Sequence, residues 1–306
     1  MPKRAAFTPK PSIEKLPLAV RKDIWDNFES KKTDFESEIG KLLDTAFTIN
    51  INANAVWAYA EGLSASSAGG TFSGYVEGFI SALKGYLEKY GDEGKSYFNS
   101  AVTQSELALV VNSLADEAET ISADVKDGVF RILFRQDRLG YNQSWLNDHF
   151  LNAIEAVPRE GFSLIAKHSI ENNFNADIGS LTQEIGEILA LPDIIIDANF
   201  EENYAALNCK DDKSWQSNFG AATFAYFSDG LKYQLVRQGF RGDDMLQEGF
   251  AEMVTSKTIK LRVVNATTGG LTNETIIENG IVYLQTTPDR WHYNVNEAGQ
   301  QLLDLL

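Results

Sequence analysis

The stretches TIKLRVV at 258–264 and ETIIENGIVYLQT at 274–286 say most about the fold of this chain. The first alternates apolar and polar side chains, which is typical of a strand with one buried face. The second places Asn279-Gly280 between two β-rich runs, and Asn-Gly readily adopts the positive φ angles of a type I′ turn. We therefore predict a hairpin at 274–286 that joins the preceding strand in a three-stranded antiparallel meander.

Helical spacing dominates the sequence before this sheet. Apolar residues recur at intervals of three, four and seven over residues 18–47, which predicts an amphipathic helix. The predicted fold class is α+β, with a predominantly helical N-terminal part and the small sheet near the C-terminus. Further helical patterns lie at 75–90, where Gly91 ends the helix, and again at 97–114. Others lie at 144–174, as two helices divided near 158–161, at 180–189, at 215–236 with a bend at Gly230, and at 296–306 as a terminal helix.

Three segments allow more than one structure. Residues 48–59 and 128–135 each fit a strand or a helix, because their apolar runs are too short to show a period. The Ser- and Gly-rich segment at 62–74 lacks the glycine patterns of phosphate-binding loops, so we predict a mobile loop or hinge there. Apart from a Phe-Glu-Ser echo at Phe28 and Phe35, no internal repeat is recognised.

The chain is long enough, at 306 residues, to bury a substantial core as one or two domains. A hydrophobic fraction of 43% excludes intrinsic disorder. The organisation expected is a basic arm at 1–17, a helical region at 18–191 and an α+β region at 192–306. The boundary is placed at Pro192, although the two larger regions could equally form one continuous domain.

Charge is distributed unevenly along the chain. The net charge of −16 disfavours binding to nucleic acid or to anionic membranes, because both require a positive field. The N-terminal segment is nevertheless basic and includes Lys3, Arg4 and Lys10. We consider two interpretations of this arm: a solvated terminus, or an assembly element that docks on an acidic surface of another subunit.

Cysteine usage and hydropathy bear on the location of the protein. Cys209 is the only cysteine, which excludes an intrachain disulfide and favours a reducing compartment. The first twenty residues lack the apolar run of a signal peptide, and no apolar stretch approaches the length of a spanning helix. We therefore expect a soluble, intracellular protein of the cytoplasm.

The sequence contains no recognisable catalytic or metal-binding motif. His149, His168 and His292 are far apart and none has the spacing of a zinc site, so no metal or cofactor is predicted. Arg131, Arg135 and Arg138 could line an anion site. The five tryptophans could stack on sugars or bases, but tryptophans are more often core anchors.

The acidic residues around Pro192 are the candidate ligand-binding residues. Asp193, Asp197 and Glu201 have helix-like spacing, and two carboxylates on one face could bind a cation or form an acid/base pair. In a chain with 43 acidic residues, a solvated surface explains the same cluster.

These observations favour a non-enzymatic structural or self-assembling protein, such as a storage, coat or scaffold subunit that forms a homo-oligomer. One alternative is an enzyme or ligand-binding protein with a carboxylate-rich pocket. Another is a membrane-active, toxin-like protein whose amphipathic helices rearrange on lipid, although the acidic body opposes this.

Overall fold

The computed structural model describes residues 7–114 and 119–306. The chain divides into two compact units, an N-terminal unit, Met1–Arg159, and a C-terminal unit, Glu160–Leu306. About 54% of the chain is helical and 14% is in strands that form two mixed sheets, which confirms the α+β class. Pro192 lies inside the C-terminal unit, after its second helix.

The N-terminal unit begins with a long helical segment that a π-helical turn, Trp25–Glu29, divides into α1 and α2. Residues 48–59, which fit either structure in the sequence, contain both a short strand and a short helix. The elements of the N-terminal unit are α1 (Leu18–Ile24), α2 (Ser30–Leu43), β1 (Thr48–Asn50), α3 (Ala53–Trp57), α4 (Ala68–Ala101), β2 (Glu106–Val111), β3 (Ile121–Lys126), β4 (Val129–Phe134) and α5 (Asn147–Glu155).

The C-terminal unit follows the same plan. Its first helical segment is also divided by a π-helical turn, Glu171–Asn175, and a second such turn, Tyr226–Lys232, separates two later helices. Its elements are α6 (Leu164–Ile170), α7 (Ile178–Leu189), β5 (Ile195–Asp197), α8 (Phe200–Leu207), α9 (Phe219–Ala225), α10 (Tyr233–Arg237), α11 (Asp244–Met253), β6 (Thr258–Val263), β7 (Asn273–Glu278), β8 (Ile281–Thr286) and α12 (Leu302–Leu305).

The two sheets have identical topology. Their strand orders are β1-β2-β4-β3 and β5-β6-β8-β7, with two parallel pairings and one antiparallel hairpin in each. The hairpins turn at Asp127-Gly128 and Asn279-Gly280, and all four residues have the positive φ of a type I′ turn. The registers also correspond, because β1 and β5 each align their first residue with the first residue of the neighbouring strand.

The two units therefore repeat one sheet topology, which the search for a sequence repeat did not reveal. Equivalent helices of the two units contain short stretches of similar sequence. EIGKLL at 38–43 and EIGEIL at 184–189 end equivalent helices, and both helices stop at a left-handed residue, Asp44 and Ala190. The repeat is strong in the backbone and weak in the identities of the residues.

Close helix contacts are shared by both units. Gly69 in α4 lies against α1, where a β-carbon would come within 2.2 Å of the Asp23 carbonyl oxygen. Gly220 in α9 lies equally close to the Ser169 carbonyl oxygen of α6, at 2.1 Å. The backbone N–H of each glycine donates to the facing side chain, at 2.7 Å to Asp23 Oδ2 and 3.0 Å to Ser169 Oγ. Only glycine allows this approach.

The hairpin prediction at 274–286 is confirmed, but the antiparallel meander requires correction. Strand β6 pairs with β8 in the parallel direction, and β7 lies on the far side of β8. The link between β6 and β7 is therefore a crossover rather than a tight turn. Residues 128–135 contain β4 of the matching hairpin in the N-terminal unit.

Four predictions of helix or loop also change. The predicted helix at 97–114 stops at Ala101, and its second half contains β2. The predicted loop at 62–74 is helical from Ala68 onward, and two of its glycines, Gly69 and Gly74, pack closely against Asp23 and Gln143. The helix over 18–47 ends at Leu43. The terminal helix at 296–306 is reduced to α12, which follows a 3₁₀ turn, Val295–Glu297. Breaks do occur at the two glycines, since Gly91 has a positive φ inside α4 and Gly230 lies in a π-helical turn.

Candidate functional site

The loops that follow β4 and β8 share a motif on the molecular surface. Their sequences are DRLGYN at 137–142 and DRWHYN at 289–294, here called the DRxxYN loops. Both connect the last strand of a hairpin to a helical turn, Gln143–Leu146 in one unit and Val295–Glu297 in the other. The motif thus occupies the same place in both copies of the fold.

Backbone hydrogen bonds give the two loops one conformation. The backbone N–H of the arginine donates to the carbonyl oxygen of the residue three positions earlier, at 2.8 Å for Arg138 and 3.0 Å for Arg290. The tyrosine N–H donates to the arginine carbonyl, at 3.2 Å for Tyr141 and 3.0 Å for Tyr293. The repeated pattern fixes where the side chains of each loop emerge.

A buried tyrosine supports each loop from below. Tyr75 Oη accepts the N–H of Gly140, and Tyr226 Oη accepts the N–H of His292, both at 2.9 Å. Burial raises the pKa of Tyr75 to about 12, although the N–H of Gly140 opposes the shift. Burial also raises the pKa of Tyr226. Both phenols therefore stay neutral at physiological pH, and each phenol oxygen accepts one N–H of its loop.

The exposed side chains of the motif do not have the same structural role in the two units. Tyr141 is 52% exposed and Tyr293 is 64% exposed. The Arg138 guanidinium lies over the Tyr141 ring, 5.2 Å from its centre, whereas Arg290 donates to the carbonyl of Gly270. The backbone explains why the motif ends in asparagine, because Asn142 and Asn294 both adopt the left-handed conformation that asparagine tolerates. Packing gives no comparable reason for the tyrosine.

Beside the second loop the C-terminal unit has a cavity of about 440 Å³, here called the aromatic pocket. Its wall combines the residues after α8 with the middle of the DRxxYN loop. It is lined by Lys210, Asp212, Ser214, Trp215, Ser217, Asn218, Trp291, His292 and Tyr293.

Polar contacts fix one side of the aromatic pocket. Asp212 accepts the backbone N–H and the hydroxyl of Ser214, at 2.8 and 2.9 Å. The Ser214 N–H, then its hydroxyl, and more weakly Lys210 hold the pKa of the Asp212 carboxyl below its usual value. Lys210 Nζ donates to the carbonyl of Pro288 at 3.0 Å, and the Asn218 amide lies 3.5 Å from His292 Nδ1. These contacts join the two segments that form the wall.

The tryptophans form the other side. Trp215 is 8% exposed and packs edge-on against Tyr204, with ring centres 5.1 Å apart. Trp291 is 5% exposed and packs on Tyr226 at 5.4 Å. The indole N–H of Trp215 has no hydrogen-bond acceptor within the described chain.

The corresponding segments of the N-terminal unit have different residues. Leu139 and Gly140 occupy the loop positions of Trp291 and His292. The 3₁₀ turn that precedes its long helix, Ala65–Ser67, contains only small side chains. The DRxxYN loop of the N-terminal unit therefore has no counterparts of Trp291 and His292, which line the pocket of the C-terminal unit.

The acidic residues singled out in the sequence lie elsewhere. Asp193 Oδ2 lies 2.5 Å from Lys257 Nζ, and this hydrogen bond lowers the pKa of Asp193. Asp197 Oδ2 lies 3.2 Å from Lys260 Nζ. Glu201 is exposed on α8. Two of the three carboxylates thus have separate lysine partners, and none of the three lines the aromatic pocket.

The three arginines proposed as an anion site also have acidic partners. Arg131 Nε donates to Asp124 at 2.7 Å across the hairpin, and Arg135 Nε donates to Asp137 at 2.6 Å. Partial burial of Asp137 opposes its ionisation, but the hydrogen bonds from Arg135 outweigh this effect and hold the Asp137 pKa below its usual value. Arg138 is the one of the three that belongs to a DRxxYN loop.

Part of the basic arm lies against its own unit. Lys3 and Arg4 lie outside the described residues. Lys10 forms an ion pair with Glu61, and its backbone N–H donates to Tyr59 Oη at 2.9 Å. Further along, the N–H of Ile13 donates to the carbonyl of Asn54 at 3.1 Å.

Potential metal ligands stay apart in the fold. Over residues 7–114 and 119–306, no three His, Cys, Asp or Glu side chains come together as metal ligands would. His149 Nε2 contacts Glu119 at 3.0 Å, and Cys209 is exposed. None of the helices in the described part of the chain combines the length and apolar composition needed to cross a bilayer.

Comparison with known proteins gives no assignment. No protein family, curated protein or solved structure matches this chain. The two units can nevertheless be compared with each other, and the DRxxYN loops are a surface feature that they share.

Proposed function

We propose that this protein is a non-enzymatic scaffold subunit that associates with further copies of itself through its two DRxxYN loops. The observation that supports this most is the exposed tyrosine, Tyr141 or Tyr293, at the same place in both units. The surrounding residues have diverged, and packing does not require an exposed ring there. Binding is a reason to retain it.

The chemistry of the loops suits a protein partner. Tyrosine and arginine are among the residues most enriched where interfaces concentrate their binding energy. The chain as a whole is strongly acidic, with a net charge of −16, so another copy offers complementary surface to Arg138 and Arg290. Two equivalent loops give each chain two contacts, which is the minimum for a closed ring or an extended assembly.

Light scattering at low and high salt tests this proposal. The monomer mass is 33.9 kDa, and we expect a multiple of that mass at low salt. The mass should fall at high salt and in the double variant Tyr141→Ser/Tyr293→Ser. Tyr233→Ser is the matched control, because Tyr233 is 49% exposed and lies outside both loops. A wild-type monomer at every concentration and salt would refute self-association.

The N-terminal arm is a second candidate contact. Its described part packs on the N-terminal unit through local bonds, and an exchange of arms between copies would preserve those bonds at low cost. Removal of residues 1–13 tests this better than removal of 1–17, because it takes away the bonds of Lys10 and Ile13 but retains the buried Leu16 and Pro17, which precedes the first turn of α1. A lower mass after the shorter deletion would support arm exchange, and an unchanged mass would contradict it.

A further inference from the structure

The aromatic pocket of the C-terminal unit has the size and the chemistry of a ligand site. Its volume of about 440 Å³ lies within the range of roughly 300–1,000 Å³ that small-molecule sites occupy. We infer that it binds an uncharged saccharide. This binding can be tested separately from self-association, because the polar residues of the pocket that follow α8 lie outside the DRxxYN loops.

The balance of charge at the pocket favours a neutral ligand. Lys210 and Asp212 line the same wall and carry opposite charges. The low pKa of Asp212 keeps its carboxylate ionised as an acceptor. The pair therefore gives the site no net charge with which to hold an ion, yet each member can still form hydrogen bonds.

The donors and acceptors match a polyhydroxylated molecule. The Asn218 amide offers both a donor and an acceptor, and the Lys210 ammonium retains donors beyond the one given to Pro288. Each sugar hydroxyl can donate to a carboxylate and accept from an amide or ammonium group at once. A ligand with several adjacent hydroxyls can therefore satisfy this wall without carrying charge.

The aromatic side supplies the apolar half of such a site. The faces of aromatic rings carry negative potential and pack well against the C–H groups of a sugar ring. Trp215, Trp291 and Tyr293 all line the pocket, and Tyr293 is the exposed ring of the three. The equivalent place in the N-terminal unit has Leu139 and small residues, so these rings are not a requirement of the fold.

The unpartnered indole N–H of Trp215 also supports a ligand site here. A buried donor without an acceptor in the described chain lowers stability, and a phenylalanine or leucine at this position would avoid that cost. A ligand hydroxyl that enters beside Trp215 is an acceptor that a small adjustment of the ring could reach.

Calorimetric titration of the full chain tests the inference. The probes are glucose, galactose, N-acetylglucosamine and maltose, with glucuronate and glucosamine as charged comparators. We expect at least one neutral sugar to bind with a Kd on the order of 1 mM. Asn218→Leu and Asp212→Asn should each weaken that binding about tenfold, the loss expected when one or two hydrogen bonds are removed. Asp212→Asn retains an oxygen that can accept the Ser214 N–H, so the turn should persist.

Asp197→Asn is the matched control, since Asp197 is a carboxylate of the same unit that does not line the pocket. It should leave the Kd unchanged. Absence of saturable binding by every neutral probe at about 10 mM would overturn the inference, as would undiminished binding by the two pocket variants. Tighter binding of a charged comparator would overturn it in favour of an ionic ligand. Sugar binding by a strictly monomeric protein would support the pocket while refuting the scaffold.

Discussion

Replacement of Gly69 by alanine should destabilise the N-terminal unit strongly. The new β-carbon would lie 2.2 Å from the Asp23 carbonyl oxygen and 2.8 Å from the Asn27 β-carbon. Both obstacles belong to the helical segment that begins with α1, so no flexible side-chain end can move aside. Helices α1 and α4 must separate, and separation also weakens the bond from the Gly69 N–H to the Asp23 carboxylate.

The magnitude follows from these two effects. Overpacking of a close contact costs about 1–3 kcal/mol, and loss of a hydrogen bond to a charged group costs about 1.5–3 kcal/mol. Because one movement causes both, we expect a combined loss of roughly 2–5 kcal/mol. In a unit of this size that corresponds to a decrease in Tm of roughly 5–15 °C.

The adjacent residue provides the control. Gly70 belongs to the same helix and is exposed, and nothing lies within 4 Å of the position that a β-carbon would take there. Gly70→Ala should therefore raise stability by about 0.5–1 kcal/mol through helix propensity alone. Thermal and urea denaturation followed by circular dichroism would compare the two variants. Equal stabilities for Gly69→Ala and Gly70→Ala would show that α1 and α4 do not approach as described. Gly220→Ala should repeat the loss in the C-terminal unit.

Two further outcomes concern the tyrosines beneath the DRxxYN loops. Tyr226→Phe removes the acceptor of the His292 N–H, which should cost about 0.5–1.5 kcal/mol and speed hydrogen exchange at that amide; unchanged protection would mean that the phenol does not hold the loop. The pKa of Tyr75 is about 12 in the folded protein and near 10 in the unfolded chain. The contribution of this difference to the free energy of unfolding is complete below about pH 10 and is lost as the pH rises to 12. Urea titrations give the free energy of unfolding at pH 9 and at pH 12. Its fall between these two pH values should be roughly 2–3 kcal/mol smaller in Tyr75→Phe than in the wild type. The same alkaline loss in both proteins would contradict the assigned pKa.

Local signals in the sequence predict local structure well. Asn279-Gly280 identifies its hairpin because the turn conformation depends on two adjacent residues. The parallel pairing of β6 with β8 depends instead on a crossover that places distant strands side by side, and alternation within one strand does not specify its neighbour. The predicted order of the sheet failed for that reason, while the predicted hairpin succeeded.

The repeated topology was harder to predict for a different reason. The residues that the units share include those with special backbone or contact roles, such as Gly69 and Gly220, and long stretches of differing sequence separate them. The DRxxYN motif was readable at 137–142 and 289–294, but a six-residue match carries little weight until both copies lie on equivalent loops. The aromatic pocket could not be predicted, since Trp215 and Trp291 meet only through the fold.

Joining both modules in one polypeptide affects their supply and their response to dilution. Every chain that is synthesised delivers one copy of each module, so their stoichiometry is fixed whatever the expression level. A half-length protein that needed two modules together would lose its partner at low concentration, whereas the covalent link keeps the effective concentration of the second module constant. One module can therefore carry different loop residues from the other, as Trp291 and His292 differ from Leu139 and Gly140, while both stay present in equal number.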